Sequence, residues 1–502
     1  MRPFANFKIA FLISLFLCVA SIGEITSSEK LAEEIKSIVA QEKVLSDQYQ
    51  SQQKSQPVLS ELNQIVSGIS FTDEEAKELR STEGKKLSES LNQKLQPVRE
   101  HLSETAKSWS DFQTEYDKLE VRKHNVVMDE MMMLAKRTHE TVRPLLPPER
   151  QLELDKHLQT LEDKYASHYE KKKPLSRNRE YFWEYRKFDQ ALEPFFELAA
   201  TPFRSEEESE ALSKTKEVNG NRANKDKWTM LKRIVPAFFR VILRRPFING
   251  VAKPLLDEMF GKTRGLSLEL EGKGNVPKST EPGVVNLLAQ VHSPSPNQDF
   301  WATTNLEPEK AMVIWHMHRL LRWAGGHPEI LPVLGGDGSN PFDKLLKQLE
   351  SGKTHTLLVF PEATNAPGIT GGLLPVQDAF NRVTLRRLRK EGLGFTITPV
   401  SAPYHHKTRG DVDSPVSVDQ REKLLAVASP TIPAKTIDAV IATEGLDFLG
   451  TLVRQTWIDE HARNPLSENT VAGALPISEV RENHRTHLTY KTGCNAVFDQ
   501  LN

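Results

Sequence analysis

Val284-Val285-Asn286-Leu287-Leu288-Ala289-Gln290-Val291 runs into His292-Ser293-Pro294-Ser295-Pro296-Asn297-Gln298-Asp299, and Thr356-Leu357-Leu358-Val359-Phe360 runs into Pro361-Glu362-Ala363-Thr364-Asn365. Both apolar runs are short and rich in Leu and Val, which predicts buried strands rather than helices. The polar residues that follow then fall in loops at strand ends, where open α/β sheets place their ligand sites. A His with a carboxylate shortly after it, and a Glu one sheet strand away, are the groups that acid–base chemistry uses.

Around this pair the composition is balanced. The chain has 502 residues, 26% of them charged, and a net charge of −1. That length allows about two to three domains. No global field points to nucleic acid or to an acidic substrate, so no nucleic-acid partner is expected. The cysteines are Cys18 and Cys494, and Cys18 lies in the N-terminal apolar run Ile9–Gly23. Arg2 and Lys8 stand before that run and small residues close it. Residues 1–23 are therefore expected to be a secretory signal, cleaved after Ala20 or Gly23, or else an uncleaved anchor. Either way the positive-inside bias puts the remainder on the far side of a membrane, periplasmic or in an equivalent lumen.

Residues 24–200 read as an all-α domain, a helical bundle or hairpins. Leu102, Ala106, Trp109, Phe112, Tyr116 and Leu119 recur at helical spacing, as do Leu154, Leu158, Leu161 and Tyr165. Prolines at 57, 97, 144, 147, 148 and 174 predict breaks between several helices. Met128 and Met131-Met132-Met133 fit either a pliable lipid surface or, more simply, core filling. Residues 201–227 form a polar linker, and over 225–246 basic residues interleave with Trp228, Phe238, Phe239 and aliphatics. Such a cationic amphipathic stretch suits an anionic membrane surface. Its alternative is a helix packed on the domain with its charges in water. His316, His318, His405 and His406 lack ligands at fitting spacing, so no metal and no cofactor is expected. Beyond Arg409 the sequence predicts one helix over 435–462 and then a polar tail.

Taken in order, residues 228–410 resemble the glycerolipid acyltransferases of the lysophosphatidic-acid acyltransferase type. The resemblance rests on Leu268–Pro277 as a lead-in strand with a G-x-x-N-x-P turn, and on His292 at the place of the His in the family's His-x4-Asp. It continues with Leu331–Leu334 before Gly335-Gly336-Asp337, with Phe360–Asn365 against Phe-Pro-Glu-Gly-Thr-Arg, and with Thr398-Pro399-Val400. It implies an α/β acyltransferase-like domain, a mixed sheet flanked by helices, over 228–502. It also implies transfer of a fatty acyl group from acyl-CoA, an acyl-carrier protein or a phospholipid to a lipid or other hydroxyl or amine acceptor. His292 is then the general base. The family's Asp position holds Asn297, and Asp299 lies a little further on. Phe360, Pro361, Glu362, Thr364, Asn365 and Asp337 fall at substrate-binding positions, but Asn365 and Asp337 stand where the family has phosphate-holding arginines. The same departures admit another reading, a catalytically degenerate protein that binds lipid or a partner.

Overall fold

The computed structural model describes residues 28–51, 58–81, 87–170, 179–205, 267–278, 283–291, 311–314, 330–331, 355–362, 373–376, 380–401, 404–405, 423–464 and 470–494, with isolated positions between and after these. They form a mostly helical protein in which a helical N-terminal region precedes a mixed sheet. The N-terminal helices are α1 (28–51), α2 (Val58–Gly68), α3 (Asp73–Ser81), α4 (Glu89–Lys94), α5 (Gln96–Val142), α6 (Pro148–Glu170) and α7 (Arg179–Ala200). Pro97 occupies the first turn of α5, where an N–H has no helical partner to lose. At the far end Pro144 lies in a short 3-10 turn and Pro148 starts α6.

Between these prolines α5 runs unbroken for 47 residues, about 70 Å at roughly 1.5 Å per residue. It is longer than the separate stripes had suggested. Its first half buries Leu102, Phe112, Tyr116 and Leu119 in a cluster shared with the sheet. Its second half buries Met128, Met131 and Met132 against α6 and α7, so these methionines fill core.

The strands are β1 (Ser267–Glu271), β2 (Val284–Gln290), β3 (Ala311–Ile314), β4 (Ile330–Leu331), β5 (Thr356–Val359), β6 (Gly394–Ser401), β7 (Tyr404–His405) and β8 (Lys423–Ala428). Their order is β1-β8-β6-β2-β5-β3-β4, with β7 on β8. From β6 to β4 all neighbours are parallel, whereas β8 is antiparallel to β6. Every residue of β2 is buried, as expected of a parallel strand covered on both faces. β6 tolerates Pro399 because β8 ends at Ala428, opposite Val400, so the missing N–H interrupts no ladder there. The turn after β1 has a local cause. Gly272 takes φ +65°, and a Cβ there would lie 2.0 Å from the Ala428 carbonyl oxygen. Asn275 donates from Nδ2 to that same oxygen at 2.8 Å, which joins the lead-in turn to β8.

The C-terminal part departs from the sequence reading. After α8 (Arg386–Lys390), the single helix expected over 435–462 is two, α9 (Ala434–Glu444) and α10 (Phe448–Arg463). Gly445 caps α9 with φ +89°, a backbone that ends the helix and turns the chain. The polar tail contains α11 (Ile477–Thr492), whose Val480 and Leu488 are buried in the cluster of α6 and α7. Its apolar positions are too sparse for a strong periodic signal, and tertiary packing supplies the stability that its own stripe lacks.

Candidate functional site

β2 and β5 lie side by side and parallel, with Asn286 opposite Thr356 and Ala289 opposite Val359. The chain therefore leaves β2 at Val291 and β5 at Phe360 on the same edge of the sheet, the carboxyl edge. Val291 is anchored there by its N–H, which donates to the Val400 carbonyl at 3.0 Å. The residue that follows Val291 in sequence is His292. His292, Asn297, Asp299, Asp337, Thr364 and Asn365 lie outside the described residues, as do the stretch 225–246 and the apolar N-terminus. Phe360, Pro361 and Glu362 are described, and all three are buried.

Glu362 is fully buried, and its Oε1 accepts the Leu374 N–H at 2.6 Å. The neighbouring Leu373 is held at both backbone groups. Its N–H donates to the Tyr116 hydroxyl at 3.3 Å, and its carbonyl accepts from Arg454 Nη2 at 2.8 Å. Arg454 also makes a two-pronged contact with Asp117, Nη1 to Oδ2 at 2.9 Å and Nη2 to Oδ1. Its guanidinium lies 5.6 Å from the centre of the Tyr116 ring, a cation–π arrangement. Burial works against the Arg454 charge, but Asp117, Tyr116 and Glu362 outweigh it and hold the pKa above the ordinary arginine value. Burial also drives the Tyr116 phenol upward, so it stays a neutral acceptor for Leu373. Leu373 and Leu374, which follow the β5 motif in sequence, are thus fastened by a charged pair from α5 and α10 and by Glu362.

Sequence reasoning missed Arg454, Asp117 and Tyr116 as parts of this arrangement. The ion pair joins positions 337 residues apart, which no local pattern reports. A faint signal exists all the same. Arg454 sits among Leu452, Val453, Trp457 and Ile458, and a lone charge in an apolar helix needs a buried partner.

Behind the sheet edge, Trp457 of α10 is fully buried and donates from Nε1 to the Ala289 carbonyl of β2 at 3.3 Å. Two residues further along α10, Asp459 accepts from the Tyr49 hydroxyl of α1 and from Gln455 Nε2, both at 3.1 Å. Burial raises its pKa to about 6, despite those hydrogen bonds and the nearby Arg463. The unfolded value is about 3.9, so the native state holds this proton more tightly. The resulting stabilisation is complete below about pH 4 and is lost as pH rises through about 6. Asp459→Asn is expected to abolish that loss and to stabilise the protein at neutral pH. Two pK units correspond to about 3 kcal/mol, which partial exposure reduces to about 1–2 kcal/mol. Urea unfolding at pH 5 and 7.5 measures it. Identical pH dependence in the two proteins would exclude Asp459 as the source.

Among the described residues no helix is long and apolar enough to cross a membrane, and no His, Cys, Asp or Glu cluster is placed to hold a metal ion. No family model, curated protein or solved structure matches this chain.

Proposed function

We propose that this chain is an exported, membrane-associated acyltransferase that works at the carboxyl edge of its parallel strands. The supporting observation is the parallel pairing of β2 with β5, because the two motif segments continue directly from these strand ends. In the reaction His292 takes the proton of the acceptor hydroxyl or amine as that group attacks the acyl carbonyl. The bond to the donor's thiol or alcohol breaks, and the imidazolium returns the proton to that leaving group. An exported enzyme works away from cytoplasmic acyl-CoA and acyl-carrier protein, which favours phospholipid as donor. Asn365 and Asp337 replace two arginines of the resembling family, which favours a neutral or amine-bearing acceptor over a glycerol phosphate. The purified chain with radiolabelled phospholipid or acyl-CoA and a mixed acceptor panel tests this. Transfer from neither donor to any acceptor would overturn the proposal.

The anion beside His292 is assigned to Asp299. A base that becomes positive in the reaction asks for a carboxylate, which Asn297 does not provide. Pro294 and Pro296 favour extended geometry at Ser293 and Ser295, which suits a wider loop that returns later than in the family. Asp299→Asn is expected to reduce turnover at least tenfold, about 1.4 kcal/mol of transition-state stabilisation. A silent Asp299→Asn beside a damaging Asn297→Ala would reverse the assignment.

The second reading, a lipid- or partner-binding protein without chemistry, draws on Glu362. Its carboxylate is committed to the Leu374 N–H inside the protein rather than exposed to a ligand. Saturable phospholipid binding without any turnover would favour it.

A further inference from the structure

At the opposite end of β2 lies a cavity of about 350 Å³, between α3, the chain before β2, β6 and the first turn of α9. Val284, which opens β2, lines it. Seven residues of strand separate it from the His292 edge, roughly 20 Å at about 3.3 Å per residue, so it is no part of the site above. Its volume falls in the range of small-molecule sites, about 300–1,000 Å³.

The walls divide into an apolar floor and a charged rim. Phe71 and the buried Leu79 and Val284 make the floor. On the rim, Asp438 is almost buried and already receives Arg389 Nη1 at 2.7 Å. Arg80 reaches that carboxylate only at 3.8 Å, and its side chain is 53% exposed. Arg80 therefore brings a fork of guanidinium donors to the cavity with no hydrogen bond to another described side chain. Lys435 donates a hydrogen bond to the Ile69 carbonyl and lies 5.2 Å over the Phe71 ring, which leaves further ammonium N–H donors. Glu281, exposed at the mouth, is the other carboxylate of the lining. The lining thus holds two cations, Arg80 and Lys435, and two carboxylates, of which Asp438 is already engaged by Arg389 from outside the cavity.

We infer that this cavity binds an amphipathic monoanion, its carboxylate or phosphate head on Arg80 and its apolar body against Phe71, Leu79 and Val284. An uncharged or cationic analogue of equal length would leave the Arg80 donors unmatched. The head group gives selectivity and the floor gives affinity, since a bare anion gains nothing from the apolar wall.

Calorimetric titration of the full chain with sodium octanoate tests this directly. Saturable binding with a dissociation constant of about 1 mM or tighter is expected. Arg80→Gln should weaken it about tenfold or more, the size of a lost charge-assisted hydrogen bond, while the unfolding midpoint stays in place. Octanol, octylamine and acetate should each bind more weakly than octanoate. Ala76→Phe, which fills the cavity from α3, should abolish binding, and Arg80→Gln remains decisive if that variant fails to fold. Absence of octanoate binding, equal binding of octanol, preference for octylamine, or an unaltered Arg80→Gln would each overturn the inference. None of these results depends on acyl transfer at the other edge.

Discussion

Replacing His292 by alanine is expected to reduce acyl transfer by about 10²–10⁴-fold, the usual contribution of a positioned general base. The acceptor hydroxyl is a poor nucleophile at neutral pH, and loss of the base leaves water as the only proton acceptor. The chemical step should suffer while donor binding persists, so kcat falls with KM little changed. His292→Gln should be as damaging, because an amide keeps polarity but takes no proton. Phospholipid binding and the unfolding midpoint, measured on the same preparation, separate lost chemistry from lost fold. Wild-type turnover in either variant would remove His292 as the base, and with it the proposed mechanism.

The second large effect is expected from Arg454→Met. Arg454 is 3% exposed in its side chain and Asp117 16%, so the substitution strands a carboxylate in the core. Removal of one partner of a buried ion pair typically costs about 3–5 kcal/mol. Against a total stability of about 5–15 kcal/mol, that is a large fraction. The double substitution Arg454→Met with Asp117→Leu should recover much of the loss, because no unpaired charge remains and the replacements pack. Chemical unfolding of the three proteins gives the comparison, and a loss below about 1 kcal/mol in the single variant would contradict a buried pair. The double variant carries further information. It restores the core but not the donor to the Leu373 carbonyl, so its activity should stay low if the hold on that segment matters for the site.

How much was legible in the sequence depended on the range of the interaction that decides each element. Val284–Gln290 and Thr356–Val359 were readable as strands, since a parallel strand buried on both faces has to be apolar along its length. The Gly272 turn was implied only by the resemblance, because the contact that demands glycine there, with the Ala428 carbonyl, is tertiary. Helix ends at Leu95 and Val142 followed from nearby prolines, although continuity over 47 residues came from packing against both core clusters. α11 was not legible, since sparse apolar residues such as Val480 and Leu488 acquire meaning only against α6 and α7.

By itself, then, the sequence determined the helical character of the first part and the buried strands, both of which follow from side-chain period within a few residues. The tertiary structure alone decided that α5 and α10 join through Asp117 and Arg454, and that Glu362 turns inward to Leu374. The physical reason is that a strand's partner and a buried charge's counter-ion are selected by the free energy of the whole packed state. Residues hundreds of positions apart then satisfy each other's hydrogen bonds, and no local pattern encodes the choice.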